Sequence, residues 1–579
     1  MPISYSQLEE VAYELNRRAA IAVPLDAREA FVHAAERETH PDAKRALLAV
    51  VENAGLAVIQ QSAMCGDTGL PRFYVKAGND VRLEDGFVGL ERALRAATAR
   101  ATKDVPLRSN RVHPLTRRNP GTNVGVMAPN VDYRFEPQGD FLDLTAVHKG
   151  GLFGSDYRML FPGDGIPGIK RFFVDTLVEF GHRGLSCPPV IVGVGIGGTK
   201  DQCVTLGKEA SCLRLVGDRH PDPLVAQLEH ELLELGNRTM IGIMGFKSDC
   251  AVLDVHCEIA YTHTGGLPVG ITELCHAVRR ATARIYNDGR VEFREDPQWF
   301  TEHYRREGID CVPGEAQPST KGGEGMKGLA QLGARDWGLG TGDNGTANRV
   351  PTPQPPAPLH REWHLTVPLS EPDVRQLRAG DIVYLTGCIF TARDGVFKYM
   401  IDEGHEPPID IRNQFNVTTQ SSPAGAEVSP GRYMVNSLQA TAGFRYAQWM
   451  DRLFERHGVR AVLNKGGMSQ EMYQTVFKKH GVVCLSTMPY GIGAIYGKAV
   501  TGVRDVFWKE HLGISEAMWL LDVEELGPLL VEGDTLGNSY VAEHAAEVNA
   551  PLLEIYKDLP DLILKRFGEV TDPTEELIN

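Results

Sequence analysis

The chain has 579 residues, 42% of them hydrophobic and 23% charged, an ordinary globular composition too long for one core, so two to four domains are expected. A formal net charge of −15 leaves no basic surplus to neutralise phosphates, which excludes a nucleic-acid-binding role but leaves room for a local basic pocket. There is no apolar run of about 18 residues to span a membrane, and ten cysteines in so long a chain do not make a disulfide scaffold; a reduced, cytoplasmic protein is expected.

Residues 1–18, with Glu9, Glu10 and Glu14 among apolar positions, read as an amphipathic helix and not as a signal peptide. The stretch to about 110 is helix-rich: Leu47, Val50, Val51, Ala54 and Ala57 recur at helical spacing, and 87–101 carries Leu90, Leu94 and Ala97 on one face. From 121 to 200 short apolar runs alternate with glycine clusters, with 141–147 and 189–193 predicted as strands. A helix is predicted at 222–235, with Asp222 as N-cap and Pro223 in its first turn, and a strand at 252–259. Glycine and proline then crowd 313–361. This divides the chain into a unit at 1–312, a linker at 313–362 and a second unit at 363–579. In that second unit, 382–387 is a predicted strand with a glycine stop, followed by helix 446–455, strand 459–463, helix 470–479 and strand 482–485. The alternation predicts an α/β domain with a central sheet, after an α+β first unit.

Three cysteines stand in motifs of their own. Cys65 opens Cys-Gly-Asp-Thr-Gly, Cys187 opens Cys-Pro-Pro, and Cys275 follows the loop His-Thr-Gly-Gly that begins at His263. They are too far apart for a local finger or a CxxC pair, so only tertiary folding gathers them. Three thiolates at one point leave the fourth position of a metal centre open, as a Lewis-acid catalyst needs. The remaining cysteines read as buried small hydrophobes. Gly193, Gly195 and Gly198 formally match a dinucleotide fingerprint, but no ribose-binding acid follows at the required distance; glycines that admit a cluster or substrate explain the loop as well. Arg108, Lys149, Arg393, Arg445 and Lys465 are scattered cations that together would cradle two carboxylates. Asp67 and His263 are polar groups beside two of the cysteine loops, His263 having a satisfied core histidine as its alternative.

With these residues the chain resembles the class I, iron–sulfur fumarase and L-tartrate dehydratase family, its alpha and beta units fused. The N-terminal motifs that carry the likeness are Cys65–Gly69, Cys187–Pro189, Gly195–Thr199 and Cys275; the C-terminal ones include Thr391–Asp394, Lys465–Met468 and Gly533–Asn538. The resemblance implies a [4Fe-4S] cluster on Cys65, Cys187 and Cys275, carboxylates held by Arg108, Arg393, Arg445 and Lys465, and Asp67 and His263 assisting proton movement. Thr441 falls where the family places a threonine proposed as the base. It also implies a homodimer acting on a small dicarboxylate, with fumarate/L-malate the default and L-tartrate or mesaconate/citramalate the alternatives. A non-catalytic iron–sulfur sensor and a nicotinamide oxidoreductase are competing readings. The chain departs from the family pattern at Gly66, usually Gln, at Gln439-Ala440, usually Gly-Pro, at Lys247-Ser248, usually Gly-Gly, and at Phe397, which suggests a more apolar pocket lining.

Overall fold

The computed structural model describes residues 2–150, 154–182, 184–245, 247–306 and 360–563. Met1–Trp299 and Pro355–Asn579 form one compact unit; Phe300–Gln354 form another, described only at its start, where Glu302–Arg306 is a short helix. Apart from its last three residues, the expected linker lies outside the described residues.

The N-terminal segment opens with helices α1 (Tyr5–Ile21), α2 (Leu25–Arg37) and α3 (Pro41–Gln60). Ser4 starts α1 by accepting the Gln7 amide at 3.2 Å, and the stripe Leu8, Val11, Ala12 and Leu15 is buried against α4 (Gly86–Asp104) and a sheet. The strands are β1 (Leu70–Gly78), β2 (Asn130–Glu136), β3 (Phe141–Lys149), β4 (Ser155–Leu160), β5 (Val190–Gly197), β6 (Val252–Ala260), β7 (Leu267–Leu274), β8 (Arg280–Tyr286) and β9 (Val291–Arg294). They make two sheets, one in the order β2-β1-β3-β8-β9 and one in the order β4-β7-β5-β6. Helices α5 (Gly165–His182), α6 (Lys200–Leu213) and α7 (Pro223–Arg238) accompany the second sheet. As the sequence predicts, Asp222 caps α7 by accepting the Leu224 amide at 2.9 Å, and Pro223 follows.

The glycine fingerprint has a different origin from either sequence reading. Gly193 and Gly195 lie inside β5, and a Cβ on either would strike backbone carbonyls of α6, those of Gly207 and Cys203 respectively. These glycines let a helix press onto a strand, and Thr199 with Gln202 forms the capping box that starts α6.

The C-terminal segment holds β10 (Glu362–Thr366), β11 (Ile382–Thr391), β12 (Val417–Thr419), a hairpin of β13 (Ala424–Ser429) and β14 (Arg432–Ser437), then β15 (Ala461–Asn464), β16 (Val483–Thr487), β17 (Val500–Phe507) and β18 (Met518–Gly533). Its main sheet runs β10-β11-β12-β15-β16-β18-β17, and β18 also pairs with β11, so five strands close into a ring. The predicted stop at Gly387 is not a stop. The strand continues to Thr391, with Gly387 at φ +129° inside an irregularity of the β11–β18 register. Phe397 is 0% exposed, packed against Tyr446 and Trp449 at ring distances of 5.4 and 5.7 Å. It belongs to the core behind the sheet, which corrects the expectation that it lines a pocket.

Helix Tyr540–Asp558 leaves this segment and returns to the N-terminal one. Leu552, Ile555 and Tyr556 join Phe172, Phe173 and Leu232 in one core, and the Tyr556 hydroxyl donates to Asp175 at 3.0 Å. Each such aliphatic side chain contributes roughly 1.5–3 kcal/mol on burial. A further shared core joins Ala46 and Leu47 of α3 to Ile382, Tyr490 and Leu530, with Cys187 packed at its edge.

Candidate active site

Strand register gathers the cysteines. In the second sheet Ile191 of β5 lies opposite Leu274 of β7, so Cys187 and Cys275 share an edge, and the His276 amide donates to the Cys187 carbonyl at 3.2 Å. In the first sheet Leu70 lies opposite Lys149 and Arg280 opposite Val147, so the loop of Cys65 and Asp67, the end of β3 and Arg279 share another edge. The short segment from Cys275 to Arg279 runs from β7 to β8 and joins the two edges.

The three thiols act on one another electrostatically, and the nine cysteines among the described residues are all free. Burial pushes the Cys65 thiol up to about 12, against the pull of Arg279, and raises that of Cys187 against the pull of Lys465. Protons must therefore leave as a metal binds, and adjacent cations ease that step. Lys465 donates to the Cys187 sulfur at 3.3 Å, and Arg279 to the Cys275 sulfur at 3.9 Å. The one trio of donor atoms within 4.8 Å among the described residues is Glu38, His40 and Asp249, so the three sulfurs stand further apart than a single-ion site requires. Three soft donors, spread and flanked by cations, fit a sulfur-bridged cluster better than one ion. The Glu38 trio is structural: Glu38 accepts from Ser248, from the Asp249 amide and from the His40 amide.

Asp67 binds Arg108 at 2.8 Å, and its side chain keeps 35% exposure, as at the floor of a recess. Burial would raise its carboxyl, but Arg108, Arg279, the Gly69 amide and Lys465 outweigh burial and hold it well below the usual carboxylate range. Burial and, less strongly, the repulsion of Arg393 from the other segment act against the charge of Arg108, and Asp67 favours it. Arg393 is held by Glu516 at 3.2 Å, and Arg445 by Asp394 at 2.8 Å. Lys465, Asp67, Arg108, Arg393 and Arg445 thus form one charged chain across the two segments.

Thr441 enters through its backbone. Its amide donates to the Gln420 carbonyl at 2.7 Å, and its carbonyl accepts the Lys465 amide at 3.1 Å. Its half-exposed hydroxyl makes no hydrogen bond among the described residues. The C-terminal segment also clamps the Cys65 loop. A Cβ on Gly66 would lie 2.5 Å from the Gln439 amide nitrogen, and one on Gly493 would lie 2.7 Å from the Cys65 Cα. The Gln439 side chain ties this contact to the next loop, accepting the Gly491 amide at 2.9 Å. The departures at 66 and 439 therefore touch: a glycine on one side makes room for the glutamine segment on the other.

Lys149 ends β3 within the fields of Cys275, Glu273 and Arg279, and burial lowers its pKa. His263 is not brought to the thiols. It sits in the exposed loop that joins β6 to β7 across the end of β5, its Nδ1 accepting the Gly265 amide at 3.1 Å, while Cys275 lies at the other end of β7. A strand of eight residues separates them, about 26 Å at about 3.3 Å per residue. Sequence reasoning missed Arg279, Asp394 and Glu516. The pair Arg279-Arg280 entering a strand just after Cys275 was a usable signal for the first, since alternation sends one side chain to each face; Glu516 carries none.

Comparison with known proteins follows the same division. The family described as fumarate hydratase (fumerase) matches residues 9–284, and that described as fumarase C-terminus matches 345–544. The chain is similar to "Putative L(+)-tartrate dehydratase subunit alpha" of Methanocaldococcus jannaschii, 41% identical over 290 residues, which covers 49% of this chain and 100% of that protein. It is similar to "Putative fumarate hydratase class I" of Geobacillus stearothermophilus, 28% identical over 547 residues, covering 92% of this chain and 95% of that protein. L(+)-tartrate dehydratase subunit alpha of Escherichia coli K12 is 30% identical over 285 residues, 49% of this chain and 92% of that protein.

Proposed function

Because this chain belongs to the fumarate hydratase family and is a hydro-lyase, we propose that it catalyses the reversible hydration of fumarate to L-malate, with fused alpha-type (1–312) and beta-type (363–579) units joined by a 313–362 linker. The observation that carries the reading is the meeting of three free thiols from one segment with Lys465 of the other, 3.3 Å from Cys187. Cys65, Cys187 and Cys275 would hold a [4Fe-4S] cluster; when bound, it supplies Lewis-acid activation of the departing hydroxyl at an iron without a protein ligand.

The chain's own groups do the rest. Arg108 and Arg393, one from each segment, take one carboxylate in bidentate fashion, and Lys465 and Arg445 take the other. These cations also stabilise the charge that builds on a carboxylate when the neighbouring carbon loses its proton. Asp67, held ionised, accepts a hydrogen bond from the substrate hydroxyl. Thr441, ionised to its alkoxide in these cationic surroundings, takes the proton and returns to the neutral hydroxyl. A proton role for His263, at the far end of β7, requires a second copy of the chain, consistent with a cytoplasmic homodimer.

Anaerobic turnover of iron- and sulfide-reconstituted protein on fumarate, mesaconate, L-malate and L-tartrate, with product analysis, tests the proposal. Turnover of fumarate and L-malate that vanishes in Cys275→Ala supports it. Preference for L-tartrate or mesaconate reassigns the substrate, and an intact cluster with no turnover leaves the sensor. Mixing Cys275→Ala with His263→Ala protein tests the dimer: activity recovered in the mixture means that histidine and cluster come from different copies.

A further inference from the structure

The guanidinium of Arg279 stands where the loop of Cys65 and Asp67, the end of β3 and the loop after β7 meet. Its Nε donates to the His148 carbonyl at 2.7 Å, its Nη1 to the Asp67 carbonyl, and its Nη2 to the Cys275 sulfur at 3.9 Å. Its charge also acts on Cys65, and its own carbonyl accepts the His148 amide at 3.0 Å. The residue is 2% exposed, so these contacts are made without competing water. Space has been kept for it: Gly150 lies beside the guanidinium, and a Cβ there would collide with Nη2 while approaching the Asp67 carboxylate at 3.3 Å.

We infer that Arg279 is a positioning residue for the cluster-binding loops: its planar fork locks the Cys65 loop, through the Asp67 carbonyl, to the Cys275 loop at a fixed separation and directs an N–H group at the Cys275 sulfur. The inference rests on the proposal that the three thiols hold a cluster. Lys465 serves the Cys187 sulfur from the opposite segment, so one sulfur has a cation that belongs to the ligand loops themselves and another a cation supplied by the docking partner. A lysine at 279 would keep the charge but reach one or two of these three acceptors, because only a guanidinium presents several donors in one plane. Hydrogen bonds and positive charge at cluster sulfurs favour the reduced, more negative form, so losing them lowers the reduction potential.

The test uses full-length protein reconstituted anaerobically: wild type, Arg279→Gln, Arg279→Lys and Gly150→Ala. Read-outs are iron content, the rate of iron release to a chelator, and the midpoint potential of the loaded fraction. Arg279→Gln should release iron at least tenfold faster and show a more negative potential. Arg279→Lys should fall between it and wild type. Gly150→Ala, which displaces the guanidinium without removing it, should follow Arg279→Gln. Variants that load, release iron and titrate like a loaded wild type overturn the inference alone. So does a loss of fold in the arginine variants if Gly150→Ala leaves release rate and potential unchanged. A wild type that takes up no iron overturns the cluster reading beneath it.

Discussion

The two segments contribute to the site in different ways. In the N-terminal segment the thiol loops are ends of paired strands, tied to one another by the His276–Cys187 backbone bond and by the Arg279 side chain on the Asp67 carbonyl. In the C-terminal segment Arg393, Thr441 and Lys465 follow β11, β14 and β15, Arg445 lies in the short helical turn Gly443–Tyr446, and the Gln439 stretch beside them packs on the Cys65 loop. One half is assembled by its own register, whereas the other is completed by docking. The three thiols come from the first segment and Thr441 from the second, so holding the proposed cofactor and removing the proton can be broken separately.

Thr441→Ala should break only the reacting half. Turnover should fall about 10³-fold or more while iron uptake and the visible spectrum stay at wild-type level; single-turnover kinetics on loaded protein measures it. Gly66→Ala attacks the junction, because its Cβ has no room beside the Gln439 amide. Displacing the halves by a fraction of an ångström to an ångström should reduce kcat/KM about 100-fold with the fold retained by circular dichroism. Leu552→Ala tests whether the returning helix stabilises the holding half. Denaturant unfolding should register a loss of about 2–5 kcal/mol.

The smallest expected effect concerns Glu532, which lies buried beside Gly467 with one oxygen accepting from Ser539 at 2.9 Å and the other without a partner. Burial pushes its carboxyl from 4.5 up to about 8. Between those values the folded chain holds a proton that the unfolded chain has released. Its contribution is therefore complete below pH 4.5, declines as pH rises towards 8 and levels above. Glu532→Gln should flatten that decline in melting temperature measured from pH 5 to 8.5, and stabilise the protein most at the alkaline end.

Much of this was legible in the sequence because it is written in short-range patterns. The cap at Asp222, the helices and most strands follow from local spacing, and the thiol trio from motifs beside glycine and proline. What failed depended on distant partners. Gly387 looks like a stop until β18 pairs across it, and Gly193 and Gly195 look like a ligand loop until α6 is seen pressing on β5. Phe397 reads as pocket lining until its stacking on Trp449 is known. His263 lies only 12 residues before Cys275, yet an extended strand turns that nearness into the length of a sheet. For Arg279 the sequence offers only its place just after Cys275; its bonds to the His148 and Asp67 carbonyls are ones no side-chain pattern reports.

Helix Tyr540–Asp558 has a consequence for synthesis. A core begun by Phe172 and Phe173 lacks Leu552, Ile555 and Tyr556 until the ribosome has translated some 380 further residues. Vectorial folding of the first half thus stays open for most of translation, its apolar gap available to chaperones and to neighbouring nascent chains. Because the closing piece comes from near the end of the second half, a chain interrupted anywhere upstream leaves the first core unsealed.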